Sequence, residues 1–213
     1  MSYPGAALTA PNANVDFSPL LPARIILYNK ETKQPMNAIL KKVDNDEKDE
    51  SLLQALWHLL NYEIVEGGDS YPFESAFTFE QFKSYYASHD LFVLVKEKSD
   101  DEDNTLLVGD NVENDKTNNN HNNIRHYNFG KSLIGSVHIR PNFPGRSCIV
   151  ANGAFLVAPH CRRFGAAQVL GSFFPTFAKM LGYKSTLFNL VFAPKKCNKK
   201  VKSMLQVLPC GRS

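Results

Sequence analysis

A short segment in the second half of the chain combines residue types that bind phosphate. It runs from the apolar strand end Phe155-Leu156-Val157 through a turn to Arg162-Arg163-Phe164-Gly165-Ala166-Ala167, and a helical pattern follows. Main-chain N–H groups in the first turn of a helix have no partner within the helix and lie at the positive end of its dipole, so they bind phosphate oxygens. Gly165 and Ala167 leave this backbone uncovered. The segment predicts an anion-binding loop, and it is neither a GxGxxG fingerprint nor a Walker motif.

Basic residues and glycine at a helix start often serve only as a cap, so the surrounding elements decide the interpretation. Residues 136–140 and 148–157 have the apolar character of two strands joined by a Pro/Gly turn, and a strand pattern at 186–192 follows the helix. Gly182 ends that helix, and Pro175 within it predicts a kink or a helix in two pieces. The order strand, strand, helix, strand predicts an α/β protein with a mixed sheet.

Charge is distributed very unevenly along the chain. Residues 116–213 contain fifteen of the 24 Lys/Arg residues and no Asp or Glu, whereas residues 1–115 contain all 21 acidic residues. Such a basic half favours a polyanion, and both coenzyme A and nucleic acid fit that description. Nucleic acid is the less favoured partner, because the basic cluster 195–202 has no interleaved aromatic residues. Solvated surface charge is the third interpretation of this cluster.

Composition predicts one globular domain with a core. The 213 residues are 43% hydrophobic and 11% aromatic, enough to bury roughly 70% of the unfolded surface. Residues 1–20 are expected to be a disordered N-terminus, and residues 21–213 the folded domain. No apolar run approaches the roughly 20 residues of a membrane span, and the four cysteines show no metal-binding spacing. We therefore expect no metal and no membrane, and a cytoplasmic location with the nucleus as the alternative.

The first half supplies two strands, two helices and a third strand. Strand patterns occur at 24–28, 37–43 and 91–95, with helical periodicity after Ser51 and after Thr78, each a capping-box position. Between about 97 and 129 the acidic run 100–103 and the Asn run 118–120 interrupt this pattern. Low hydrophobicity cannot repay the entropy of ordering, so this stretch predicts a disordered insert.

With these elements in place, the chain resembles the GNAT N-acetyltransferases, and most closely a fungal branch that acts on proline analogues. The resemblance lies between Gly135 and Phe192, on Ile139-Arg140-Pro141-Asn142-Phe143, Asn152-Gly153-Ala154-Phe155-Leu156-Val157 and Phe188-Asn189-Leu190-Val191-Phe192. It implies the GNAT fold and acetyl-CoA as co-substrate.

The resemblance also implies roles for particular residues. Arg162, Arg163, Phe164, Gly165, Ala166 and Ala167 match the pyrophosphate loop, and the backbone near Phe155, Leu156 and Val157 matches the strand that faces the acetyl group. Asn152 and Asn189 match the two asparagines that hold the carboxylate of the imino acid, and an amide can donate to a carboxylate without adding charge. The alternative is that these asparagines are structural. The resemblance identifies no acid or base in this chain, so the catalytic residues stay unknown.

The expected function is thus acetyl-CoA-dependent N-acetyl transfer to a small amino or imino acid. The alternative is a non-catalytic, histone- or chromatin-related binding module, because the chain also resembles the acetyltransferase-like domain of a yeast histone-gene regulator. Compared with the enzyme family, Lys195 replaces an asparagine and the chain stops at Ser213, before the family's final strand pair. We therefore expect the strand that begins at Thr186 to lack a neighbour and activity to be weak, unless a partner such as a second copy covers that edge.

Overall fold

The central element of the fold is a seven-stranded mixed sheet with the strands in chain order. The computed structural model describes residues 10–12, 14–43, 50–66, 71, 73–97 and 127–188, and the backbone of 208–209. All neighbouring strands pair antiparallel except the fifth and sixth, which are parallel. The strands are β1 (Ala23–Tyr28), β2 (Pro35–Val43), β3 (Asp90–Lys96), β4 (Leu133–Pro141), β5 (Val150–Val157), β6 (Ser185–Thr186) and β7 (Leu208–Pro209). The predicted α/β mixed sheet is confirmed.

Three α-helices cover this sheet: α1 (Glu50–Val65), α2 (Phe79–Tyr85) and α3 (Ala166–Met180). Of the two predicted capping boxes, the one at Thr78 begins α2, since Thr78 accepts from the Gln81 N–H while Gln81 accepts from the Thr78 N–H. The one at Ser51 is wrong in position, because α1 already begins at Glu50 and Ser51 lies inside the helix. Pro175 lies inside α3, which is one continuous helix, so the alternative of two separate pieces is wrong. The apolar side chains of α3 face the sheet, and their burial there stabilises the helix despite the proline.

The two faces of the sheet carry different helices. Phe177 of α3 stacks on Phe92 of β3 with ring centroids 4.4 Å apart, which places α3 on one face. Tyr86, at the end of α2, contacts Ser136 and His138 of β4 from the other face. Helix α1 packs against α2, β4 and β5. Because helices cover both faces, β4 is buried at every position except Arg140, as expected for a central strand.

The folded part of the chain extends past two boundaries predicted from the sequence. Phe17 is buried and its ring makes edge contacts with Phe92 and Phe177, so the folded domain includes residues before the predicted start at 21. At the other boundary, Phe129 packs on Tyr62 of α1, within the region assigned to the insert. Residues 1–9 and 98–126 lie outside the described part of the chain.

The sheet opens between its fifth and sixth strands. Parallel pairing joins Val150 to Ser185 and Ala151 to Thr186, and the last bond runs from the Leu187 N–H to the Ala151 carbonyl at 2.8 Å. Beyond Ala151, the described residues of β5 pair with β4 alone. On the other side of β6, Leu208 pairs with Thr186, so the expectation that the strand starting at Thr186 has no neighbour is wrong at this position.

No helix within the described ranges is both long and apolar enough to cross a membrane.

Candidate functional site

The predicted anion-binding loop connects β5 to α3 through two residues with left-handed backbone conformation. A short 3₁₀ turn at Pro159–Cys161 follows β5, then Arg163 has φ of 76° and Gly165 has φ of 82°. Gly165 is the N-cap of α3 and offers no side chain to cap it. A left-handed residue followed by a right-handed helical one, as at Gly165 and Ala166, turns successive N–H groups toward the same side, which is the geometry of an anion-binding concavity.

Five consecutive main-chain N–H groups in this loop, residues 163–167, donate to no residue that the structure describes. The first N–H of the helix with a partner is that of Gln168, which donates to the Gly165 carbonyl at 2.9 Å. Ala166 is buried and Ala167 is exposed with only a methyl group, so neither side chain covers the amides. The observed backbone therefore fits a diphosphate, whose oxygens accept several hydrogen bonds at once.

Arg163 is held in its unfavourable conformation by residues of the first half. Its carbonyl accepts from the Lys30 N–H at 3.0 Å, and its Nη2 donates to the Glu31 carboxylate at 2.6 Å. A left-handed conformation costs a residue with a Cβ roughly 1–2 kcal/mol, so these contacts offset strain at the centre of the loop. The Phe164 side chain lines a surface pocket with Pro35 and Met36.

The side chain of Arg162 is bound to a buried carboxylate. Its Nη2 donates to Glu63 of α1, whose side chain is only 10% exposed. Burial raises the pKa of the Glu63 carboxyl, and the Arg162 guanidinium partly offsets that effect. Because the side chains of Arg162 and Arg163 both have acidic partners, the loop presents main-chain N–H groups rather than free guanidinium charge.

The hydrogen bonds at the two ends of the β4–β5 pair show which way the backbone groups of β5 point. The Asn142 N–H donates to the Val150 carbonyl, and the Ala158 N–H donates to the Ile134 carbonyl. Hydrogen-bonded positions alternate along an antiparallel pair, so even-numbered β5 residues face β4 and odd-numbered ones face the opening. The N–H groups of Phe155 and Val157 therefore point into the opening.

Leu156 is oriented the opposite way from its two predicted companions. Its N–H faces β4 and its side chain is buried, so it offers neither group to a ligand in the opening. The side chain of Phe155 packs against Phe174 and Phe188, with centroids 5.5 and 6.0 Å away. This aromatic cluster forms an apolar floor beneath the open edge of β5.

Asn152 lies directly after the last β5 residue that pairs with β6. Its Oδ1 accepts from the Gly153 N–H at 2.8 Å, which fixes the amide and leaves Nδ2 as its donor. No described residue accepts a hydrogen bond from that Nδ2. Asn189, the second predicted acceptor residue, lies outside the described residues.

Sequence analysis missed a polar cluster on the α2 face of β4. Ser136, His138 and Arg140 alternate along the strand and therefore share one face. Tyr86 Oη lies 3.0 Å from Ser136 Oγ, and the Tyr86 ring lies 4.4 Å from the His138 ring. The period-two repeat of polar residues in an otherwise apolar strand was the available indication of this cluster.

Several buried polar atoms in and around this cluster have no hydrogen-bond partner among the described residues: Tyr71 Oη, His138 Nδ1 and Arg140 Nε. Such atoms are uncommon in folded proteins and are informative where they concentrate. Burial lowers the pKa of His138 well below its usual value, and the Arg140 charge lowers it further. Burial also raises the pKa of Tyr71 and of Tyr86, so both phenols remain protonated donors at neutral pH.

Other reactive side chains in the described ranges do not form a site. Cys161, in the loop itself, is buried, and burial raises the pKa of its thiol, which keeps it a weak nucleophile. No group of three or more His, Cys, Asp or Glu residues is placed to hold a metal ion in the part of the chain that the structure describes. The structure thus combines a mixed α/β sheet, an open strand edge and, after that strand, a loop whose N–H groups have no partner among the described residues.

Sequence comparison finds known proteins that are similar to this chain, and one of them is a named N-acetyltransferase. The chain is 31% identical over 152 residues to N-acetyltransferase aca1 of Schizosaccharomyces pombe, covering 71% of this chain and 65% of that protein. It is 29% identical over 195 residues to Protein SPT10 of Saccharomyces cerevisiae, covering 82% of this chain and 30% of that protein. The chain therefore spans less than two thirds of either relative. The predicted resemblance to N-acetyltransferases is confirmed, while no family model matches the chain.

Solved structures with a similar fold are also acetyltransferases. One is a GCN5-related N-acetyltransferase from Kribbella flavida, with 21% identity and a TM-score of 0.45, covering 70% of this chain and 71% of that one. Another is a phosphinothricin acetyltransferase from Sinorhizobium meliloti in complex with AcCoA, with 11% identity and a TM-score of 0.48, covering 71% of this chain and 64% of that one.

Proposed function

We propose that this chain is an acetyl-CoA-dependent N-acetyltransferase of the GNAT type that acts on a small amino or imino acid, such as a proline analogue. The observation that carries the proposal is the run of five N–H groups at 163–167 that have no partner among the described residues, in the loop that follows the open-edged strand β5. The sequence similarity to an N-acetyltransferase, with 31% identity over 71% of this chain, supports it.

Within this proposal, the loop binds the pyrophosphate of the co-substrate. The N–H groups of residues 163–167 donate to its oxygens, and the positive end of the α3 dipole adds to the attraction. Gly165 is required there because its φ of 82° strains any residue with a side chain. Arg162 and Arg163 act mainly by holding the loop to α1 and to the β1–β2 turn through Glu63 and Glu31.

The open edge of β5 provides the remaining contacts along the co-substrate. The N–H groups of Phe155 and Val157 point into the opening, where they donate to acceptor oxygens of an extended ligand as a further strand would. Acetyl-CoA supplies the thioester from which the acetyl group is transferred. An N–H aimed at the thioester oxygen stabilises the negative charge that develops there during attack by the amine.

Two residues are assigned to the acceptor by the resemblance, Asn152 and Asn189. Asn152 stands at the mouth of the opening with its Nδ2 available to donate. Holding both reactants in one cleft contributes roughly 7–11 kcal/mol toward the barrier, because the reaction then no longer needs a bimolecular encounter. The Tyr71 and Tyr86 hydroxyls keep their protons at neutral pH, and Tyr86 Oη lies 3.4 Å from the carbonyl oxygen of Ala154 on β5.

A non-catalytic, chromatin-related module is the second candidate function. The similarity to Protein SPT10 spans 82% of this chain, which is more than the similarity to N-acetyltransferase aca1 covers. The basic second half of the chain would suit either a nucleic acid or an acidic protein partner. Binding of acetyl-CoA without transfer to any amino or imino acid would favour this candidate.

Calorimetry with acetyl-CoA on Gly165→Glu and Gly145→Glu tests the proposal. Both glycines have positive φ and no close contact at the Cβ position, so the two variants introduce the same charge and a similar backbone strain. Gly165→Glu places a carboxylate at the loop and should abolish acetyl-CoA binding, whereas Gly145→Glu should bind like the wild type. Circular dichroism of both variants checks the fold. Equal affinity of the two variants would remove the loop from the site.

A further inference from the structure

Arg140 is a partly buried cation that has no acidic partner among the residues that the structure describes. Its Nε is buried and has no hydrogen-bond partner among them, and its guanidinium lies over the Tyr85 ring, 4.6 Å from the centroid. The ion pairs in the described part of the chain involve other residues, and none includes Arg140. Residues 116–213 contain no Asp or Glu. A guanidinium in this position attracts an external anion.

The groups around Arg140 are neutral at physiological pH. Arg140 lowers the pKa of His138, which burial has already lowered, and it likewise contributes to a pKa of about 4 for His89. The Arg140 charge lowers the pKa of Tyr71 and of Tyr85, but burial raises both pKa values by more, so both phenols stay protonated. The Glu63 charge raises the pKa of Tyr71, but the Glu63 carboxylate is already paired with Arg162. The positive charge of Arg140 is therefore uncompensated within its described surroundings.

Asn152 stands directly opposite Arg140 across the β4–β5 pair. Residues opposite one another in an antiparallel pair share a face, with Cβ atoms about 4.5–5.5 Å apart. The Asn152 amide is fixed through the Gly153 N–H, and its Nδ2 is free of described acceptors. A charged fork and a fixed amide donor thus lie side by side where β6 leaves β5.

We propose that Arg140 is a further specificity-determining residue of the acceptor site: its guanidinium binds the carboxylate of the acceptor beside Asn152, and the two side chains form a clamp. This inference rests on the proposed function and deepens it. A carboxylate has two oxygens in one plane, which suits a guanidinium and an amide donor together. An amine without a carboxylate leaves the Arg140 charge unpaired and is a poor substrate.

Calorimetry with azetidine-2-carboxylate and its carboxamide tests this clamp. The two probes differ only in the charge and acceptor oxygen of the carboxyl group. Titration is done on the full chain with coenzyme A present, so that no acetyl transfer consumes the probe. The wild type should bind the acid roughly 10- to 100-fold more tightly than the amide, as loss of a charge-assisted hydrogen bond predicts.

Three variants separate the role of Arg140 from general effects of charge. Arg140→Leu should weaken binding of the acid by roughly 10- to 100-fold and leave binding of the amide unchanged. Arg140→Lys keeps the charge but loses the planar fork, so it should bind the acid with intermediate affinity. Arg146→Leu removes the same charge from an exposed position and should bind both probes like the wild type.

The outcomes distinguish this inference from the proposed function. Equal binding of acid and amide by the wild type, or an undiminished preference in Arg140→Leu, would overturn the clamp. If Arg140→Leu fails to fold, Arg140→Lys decides, because an acid preference equal to that of the wild type would likewise overturn the clamp. Acetyl-CoA affinity is measured separately, and it should be unchanged in Arg140→Leu. A wild type that binds no acetyl-CoA would overturn the proposed function alone, and the acid–amide comparison would still decide on the clamp.

Discussion

The two members of the Glu63–Arg162 pair should contribute unequally to stability. The Glu63 side chain is 10% exposed and that of Arg162 is 47% exposed, so truncation of either one leaves a different group behind. Arg162→Ala leaves a buried carboxylate without its cation, whereas Glu63→Gln leaves a half-exposed guanidinium that water can solvate. We expect Arg162→Ala to be clearly destabilising and Glu63→Gln to be nearly neutral at pH 7.

The magnitude follows from the position of the pair. Breaking a fully buried pair costs about 3–5 kcal/mol, while exposed pairs contribute about 0–1 kcal/mol. Since one partner is buried and the other half-exposed, Arg162→Ala should cost about 2 kcal/mol, or about 4–8 °C in Tm for a chain of this size. Burial raises the pKa of Glu63 despite the guanidinium, so desolvation outweighs the pair and removing the carboxylate charge costs little.

The sign of the pH dependence follows from the same raised pKa. A carboxyl with a folded-state pKa above its unfolded value stabilises the fold fully below the unfolded pKa, and that contribution is lost as pH rises through the folded pKa. Without Arg162 the folded pKa of Glu63 rises further, so the penalty of Arg162→Ala should shrink as pH falls from 7 toward 5.

Urea unfolding of four proteins measures these effects: the wild type, Arg162→Ala, Glu63→Gln and the double variant. The double variant should be nearly as stable as Glu63→Gln, because the buried charge that causes the penalty is gone. If Glu63→Gln is as unstable as Arg162→Ala, or if the double variant stays as unstable as Arg162→Ala alone, then this account of the pair is refuted.

Two further predictions concern the acceptor face. Asn152→Ala should raise KM for an imino acid by the equivalent of about 1–3 kcal/mol while acetyl-CoA affinity is retained, and steady-state kinetics with an unchanged KM would make Asn152 structural. The pKa of His138 is lowered by burial, so its contribution to stability is complete above the unfolded value of about 6.5 and is lost as pH falls below it. His138→Gln should therefore show a smaller loss of free energy of unfolding between pH 7 and pH 5 than the wild type; an identical loss in urea titrations would contradict this.

Local patterns explain why the sheet and the loop could be predicted from the sequence. The apolar run of β3 and the alternation in β1 and β2 depend only on residues close in the chain. The Thr78–Gln81 capping box is likewise local. The loop was predictable because a glycine at a helix start, such as Gly165, indicates a left-handed backbone conformation, and this signal needs no tertiary contact.

What the sequence did not reveal depends on contacts between distant residues. The burial of Phe17 requires Phe92 and Phe177, and nothing near residue 17 indicates it. The partner of Arg162, Glu63, lies in a helix of the first half, and nothing near residue 162 indicates that pair. Arg140 was part of the recognised motif, but its lack of a carboxylate partner is visible only once the strands and helices are assembled.

The central claim is that main-chain N–H groups of residues 163–167 bind the pyrophosphate of acetyl-CoA. Amide resonances in a ¹⁵N-labelled sample, followed by NMR during titration with coenzyme A, report on these groups directly. The account predicts the largest downfield shifts at residues 163–167, with smaller shifts at Phe155 and Val157. Saturable binding of coenzyme A that leaves the amides of residues 163–167 unshifted would contradict it.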